Sequence, residues 1–167
     1  MTATQHKILD HTEIEHKIRR IAYQIYETYV EEEEIVIAGI AKSGLELAKK
    51  IDKILLEIST IKTTFCEVTI DKENLLSPIK TSIPAEEYQN KAVILVDDVL
   101  NSGGTLIYGV KHFLNVPLKK LKTVVLVDRN HKRYPVKADF KGISLSTSLH
   151  EHVDVVFEEG NDAVYLG

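Results

Sequence analysis

The chain has 167 residues, of which 44% are hydrophobic and 28% charged, and a net charge of −4. That suits one domain, spanning residues 1–167, large enough to bury a real core. No apolar run approaches the roughly 20 residues of a bilayer span, and an acidic chain argues against a global nucleic-acid footprint.

Thr12-Glu-Ile-Glu15 has the pattern of a capping box opening a first helix. Its apolar stripe is Ile14, Ile18, Ile21, Ala22, Ile25 and Tyr29. The acidic run Glu31–Glu34 reads as a solvated loop before a buried strand over Ile35–Ile40. A second amphipathic helix starts near Gly44 and carries Leu45, Leu47, Ala48, Ile51, Ile54 and Leu55. Thr63–Ile70 reads as a strand, and Cys66 within it reads as a buried thiol rather than a nucleophile. As the single cysteine it forms no intramolecular disulfide, which suits a reducing cytoplasm. Residues Met1–Asp10 lack the charged-then-apolar pattern of a secretory leader.

Residues 71–90, with Pro78 and Pro84, lack a period and read as a long surface loop able to act as a flexible lid. Val93–Val96 is a β-branched and aliphatic run that delivers Asp97 and Asp98. A small-residue loop follows, and then a helix on Leu106, Val110, Phe113 and Leu114. Leu121–Asp128 reads as a strand, residues 129–149 as a basic, turn-rich segment, His152–Glu158 as a strand, and Ala163–Leu166 as a short last one. Strands alternating with helices predict an α/β fold, a mostly parallel sheet flanked by helices with loops gathered at the strands' carboxyl ends.

Two strand-to-helix turns carry chemistry. The amides of Ser102–Thr105 and the helix dipole behind them suit a phosphate. Asp97 and Asp98 beside them accept hydrogen bonds from sugar hydroxyls. Phosphate beside a diol outlines a ribose 5-phosphate. Gly39 and Gly44 allow close backbone approach around Ala41-Lys42-Ser43, a second anion-binding turn. A Walker loop is excluded because neither turn supplies Gly-Lys-Ser/Thr, and the dinucleotide pattern G-x-G-x-x-G is absent.

The stretch from Val93 to Thr105 resembles the signature of type I phosphoribosyltransferases, which bind phosphoribosyl pyrophosphate (PRPP). Val127-Asp128-Arg129, His131, the run Pro135–Gly142 and Ser146-Thr147-Ser148 reproduce the order and spacing of one subgroup. These are the pyrimidine-operon regulators, whose members also have uracil phosphoribosyltransferase activity. The likeness runs from about Ile8 to Glu159. It implies the type I phosphoribosyltransferase fold, with a small hood near residues 129–149 and the lid at 71–90. It also implies transfer of ribose 5-phosphate from PRPP to a base, with magnesium, in a homo-oligomer that is a dimer or a dimer of dimers.

The resemblance further implies a role for each matching residue. Asp97, Asp98 and Arg129 become the catalytic residues. Asn101, Ser102, Gly103, Gly104 and Thr105 hold the 5-phosphate; Ala41, Lys42, Ser43 and Gly44 hold the pyrophosphate. Phe140 stacks on the base with Lys141 at its edge, and Asp97, Asp98 and Asp128 face the metal, directly or through water.

Three departures stand out. Purine-specific members carry a carboxylate where this chain has Asn101, which favours uracil over hypoxanthine or guanine. The regulators have a bulkier aromatic at that position and a basic residue at Gly104. Their lid carries a Tyr-Arg pair where this chain has Lys72, Glu73 and Asn74, so Lys72 or Lys80 is left to supply positive charge. This keeps open a regulatory protein that senses nucleotide or PRPP with weak or no turnover. The subgroup also binds messenger RNA, and Lys17, Arg19, Arg20, Lys132 and Arg133 are the candidate contacts. The Glu31–Glu34 run beside them argues against that role.

Overall fold

The computed structural model describes residues 5–147 and 151–167. Ser148, which closes the Ser-Thr-Ser run, and Leu149, which closes the expected hood, lie outside the described residues.

A six-stranded sheet organises the chain. Its strands are β2 (Glu34–Ile40), β3 (Lys62–Thr69), β4 (Lys80–Thr81), β5 (Ala92–Leu100), β6 (Lys120–Asp128) and β7 (Phe140–Ser144), in the order β4-β3-β2-β5-β6-β7. Every pairing is parallel except that of β4 with β3. The helices α1 (His11–Thr28), α2 (Ser43–Ile58) and α3 (Gly104–Phe113) flank it.

Side-chain alternation shows how the sheet is covered on both faces. Ile35 and Ile37 of β2, with Ile94 and Val96 of β5, pack with Ile14, Ile18, Ile21 and Ile25 of α1 and Leu47, Ile51 and Leu55 of α2. The intervening Val36, Ala38, Val93 and Leu95 pack on the opposite face with Leu106 and Phe113 of α3. The expected stripe of α1 is therefore buried in full, and Tyr29 follows at its C-cap. Leu114, expected in the apolar pattern of α3, lies just past its end and is exposed, because the helix stops at Phe113.

The capping box of α1 sits two residues earlier than expected. Asp10 is the N-cap; its side chain accepts from the Glu13 amide at 2.8 Å, and Glu13 accepts from the Asp10 amide at 3.1 Å. Asp10 and Thr12 both stand three residues before a glutamate, so the pattern fits either. Asp10 wins because it directly follows β1 (His6–Leu9) and has the extended conformation a cap requires.

A second, smaller sheet stands beside the first. It has three antiparallel strands in the order β1-β9-β8, with β8 at Val153–Val156 and β9 at Ala163–Leu166. Within residues 129–149, Phe140–Ser144 instead extends the main sheet alongside β6. A pairing between residues about 160 positions apart (His6 with Leu166) leaves no local periodicity to read.

Between β2 and β5 the chain reverses its direction of winding. β2 feeds α2 on one face of the sheet, and β5 feeds α3 on the other. The loops leaving these two strands part there and open a crevice at their carboxyl ends, where open α/β sheets bind ligands.

Candidate active site

β5 runs to Leu100, so Asp97 and Asp98 belong to the strand rather than to the loop after it. Pleating sends the two side chains to different environments. Asp97 is 3% exposed, while Asp98 is half-buried. The Asp97 carboxylate accepts from the Asp98 amide at 2.9 Å, and that of Asp98 accepts from the Val99 amide at 2.8 Å. Burial, with the Asp98 charge adding to it, pushes the Asp97 carboxyl up to about 8 against the opposing Lys72 ammonium.

That lysine comes from the 71–90 loop and stands 3.7 Å from Asp97 Oδ1. Of the two lid lysines left to supply charge, Lys72 therefore reaches the acids. Lys80 lies in the short β4 strand on β3.

The 102–105 turn is closely packed where it reverses. Gly103 takes φ +90°, and a Cβ there would also meet Val136 Cγ1 at 2.7 Å. The Ser102 hydroxyl accepts from the Gly104 amide at 3.2 Å, and its carbonyl accepts from the Arg133 and Tyr134 amides. Behind this turn the first amides of α3 lack intrahelical acceptors and point toward the crevice. Asp97, Asp98, Asn101, Ser102, Gly103, Gly104 and Thr105 share one pocket of about 170 Å³, with Lys72 on its rim. Val153 of the small sheet also lines it. No sequence signal pointed to Val153, because its approach depends on the docking of β8 against β5.

Gly44 brings the Ala41–Gly44 turn against the acids. A Cβ on Gly44 would lie 2.8 Å from the Val96 carbonyl oxygen and 2.9 Å from Asp97 Cα. The Ala41–Lys42 peptide is cis, and the Ala41 amide donates to the Val68 carbonyl. The Lys42 ammonium is exposed, which leaves it open to an anion.

The residues at the ends of β6 and β7 form a separate group. Asp128 is buried and has the ammonium groups of Lys132 and Lys141 at 3.7 and 3.6 Å. Its charge is thus already answered by protein cations. No cluster of three metal-ligating side chains occurs among the described residues. The Asp97–Asp98 pair still fits a magnesium ion, which commonly takes one or two carboxylates and fills its remaining positions from substrate phosphates and water.

Arg129 is 8% exposed. Its Nη1 donates to Asn101 Oδ1 at 3.0 Å, its Nε and Nη2 to Thr147 Oγ1, and its Nη2 to the Glu151 carbonyl. His131 Nε2 also contacts the Thr147 carbonyl. This arginine ties the phosphate loop to the segment leading into β8. Phe140 is 8% exposed and belongs to the core cluster with Val124 and Leu126, so its ring serves packing. The ammonium of the neighbouring Lys141 turns to Asp128.

A family model described as "Phosphoribosyl transferase domain" matches residues 4–159. The bifunctional protein PyrR of Fusobacterium nucleatum is 34% identical over 160 residues, covering 91% of this chain and 90% of its own length. That of Haemophilus ducreyi is 33% identical, covering 89% and 87%. Among solved structures, the hypoxanthine phosphoribosyltransferase of Trypanosoma cruzi superimposes with a TM-score of 0.75 over 95% of this chain and 94% of its own, at 17% identity. A hypoxanthine-guanine phosphoribosyltransferase from Bacillus anthracis gives 0.69 over 84% and 82%, at 24% identity. At these identities the two structures speak for the shared fold.

Proposed function

The chain belongs to the phosphoribosyl transferase domain family, and we propose that it transfers ribose 5-phosphate from PRPP to a nucleobase, uracil first, releasing pyrophosphate. One observation carries this reading: Asp97, Asp98 and the 102–105 turn line a single pocket, with Gly44 of the second anion turn packed on Asp97.

In this reaction the bond from ribose C1 to the pyrophosphate oxygen breaks, a base nitrogen bonds to C1, and the base gives up its N–H proton. The amides of the 102–105 turn and the start of α3 grip the 5-phosphate, which fixes the sugar. Asp97 and Asp98 take the ribose hydroxyls. The backbone around Lys42–Gly44 and the Lys42 ammonium receive the charge that builds on the leaving pyrophosphate. Asp97 and Asp98 would hold a magnesium ion, which would supply further positive charge to that leaving group. The 71–90 loop, whose Lys72 already touches Asp97, excludes water that would otherwise capture the ribosyl cation.

Uracil is favoured because Asn101 offers no carboxylate to a purine and because the 127–147 segment resembles the pyrimidine-operon regulators. A cytoplasmic homo-oligomer belongs to the same proposal. Among the described residues no helix is long and apolar enough to cross a membrane.

A second reading, a nucleotide or PRPP sensor with little turnover, is favoured by the lid. Leu75 lies over Gly104 and Lys72 over Asp97, so the loop rests on the acids and the phosphate turn together. Pyrophosphate release from PRPP and magnesium, measured in parallel with uracil, hypoxanthine, guanine, xanthine and orotate, separates the two. Release with uracil alone supports the first reading. Silence with every base, while PRPP still raises the melting temperature, supports the second.

A further inference from the structure

Asn101 occupies the pocket beside the acids and the phosphate turn, and it is exposed there. Its side-chain oxygen accepts from Arg129 Nη1 at 3.0 Å. A guanidinium has only donors, so this contact fixes which end of the amide faces Arg129: the oxygen must. The Nδ2 group is then the free end, and it has no partner among the described residues. Arg129 is itself held by Thr147 Oγ1 and the Glu151 carbonyl, so the amide cannot flip without breaking its bond to a buried, anchored guanidinium.

We infer that Asn101 is a specificity residue that presents an N–H donor to the incoming base, and that Arg129 is the positioning residue that sets this orientation. The inference rests on the transfer reading for the identity of the pocket, and it deepens that reading by naming the edge recognised. A carboxylate at this position would ask the base for an N–H. The amide asks for a lone pair. A carbonyl oxygen beside the reacting nitrogen, as in the pyrimidine-dione of the transfer reading, supplies that lone pair. Arg129 acts on the base only through Asn101.

Two variants test this by calorimetry with UMP and with ribose 5-phosphate. The ratio of the two affinities isolates the contribution of the base and requires no turnover. Asn101→Asp keeps the tie to Arg129 but replaces the donor with an acceptor that repels a carbonyl. Asn101→Ala removes both. The expected result is that Asn101→Asp weakens UMP by roughly tenfold to a hundredfold more than it weakens ribose 5-phosphate. Asn101→Ala should fall between wild type and Asn101→Asp for UMP.

If Asn101 merely braces the loop, Asn101→Asp will hold UMP as well as wild type does, and the inference is overturned. It is equally overturned if wild type binds UMP no better than ribose 5-phosphate. A protein that binds ribose 5-phosphate but releases no pyrophosphate with any base would refute transfer alone. The UMP ratios would still decide the role of Asn101.

Discussion

Gly44 lies against the backbone of Asp97: a Cβ added to the glycine would sit 2.9 Å from Asp97 Cα and 2.8 Å from the preceding carbonyl oxygen. The two strand-to-helix turns proposed to bind the phosphate and the pyrophosphate are thereby held at a fixed spacing. Neither contact is with a flexible side-chain end, so neither can give way cheaply. Gly44→Ala should cost about 1–3 kcal/mol of stability and weaken PRPP binding more than ribose 5-phosphate binding, since the pyrophosphate turn is the part displaced. Urea denaturation with calorimetry on both ligands reads this. Gly104→Ala is the contrast. Its Cβ meets the movable ends of Leu75 and Tyr134, so the stability change there should stay below about 1 kcal/mol.

The buried Asp97 makes stability depend on pH. Its carboxyl is raised in the folded state from 3.8 to about 8, chiefly by burial. Between those values the folded protein holds a proton that the unfolded chain has released. This contribution is fully present below about pH 4 and is lost as pH rises through about 8. Asp97→Asn keeps the shape and cannot ionise, so it should melt higher than wild type at pH 9, by several degrees in order of magnitude. The advantage should shrink toward pH 4, while transfer activity falls at every pH. Melting curves across that range, without metal or PRPP, test it. An advantage that grows toward low pH would contradict the assignment.

The parts of this architecture that were legible in the sequence are those written in local periodicity. The α1 stripe, the Val93–Val96 run and the turn at Ser102–Thr105 each advertise themselves within a dozen residues. Contacts that join distant segments left no such trace. Examples are the β1–β9 pairing, Val153 at the pocket and the reach of Arg129 to Asn101, Thr147 and Glu151. The sequence marks Arg129 as a site residue, but only its packing shows that the guanidinium faces protein acceptors. Phe140 illustrates the same limit. An aromatic residue at a strand start is compatible with stacking or with packing, and only its burial shows that this ring packs in the core.

Arg129→Lys retains the positive charge but not the planar fork that spans Asn101, Thr147 and the Glu151 carbonyl. Lysine has one nitrogen to serve acceptors that the guanidinium reaches with three. Stability should drop by about 1–3 kcal/mol as these charge-assisted hydrogen bonds are lost. Amide exchange should quicken in residues 101–104 together with 145–147 and 151–153. Fast exchange confined to one of these segments would show that the arginine does not couple them.

Phe140 sits opposite Val124 in the β6–β7 register and packs into the core cluster. Truncating it should therefore act through stability before it acts on the base. Phe140→Ala is expected to cost about 3–5 kcal/mol, and Phe140→Leu clearly less because it leaves a smaller cavity. In the leucine variant, which keeps the fold, the KM for the base should stay within about threefold of wild type, since a contact worth less than 1 kcal/mol is all that is lost. Guanidinium unfolding gives the first quantity and pyrophosphate release at varied base concentration the second. A tenfold rise in KM for the leucine variant, with its stability nearly intact, would mean that the ring turns out of the core to meet the base when substrate binds.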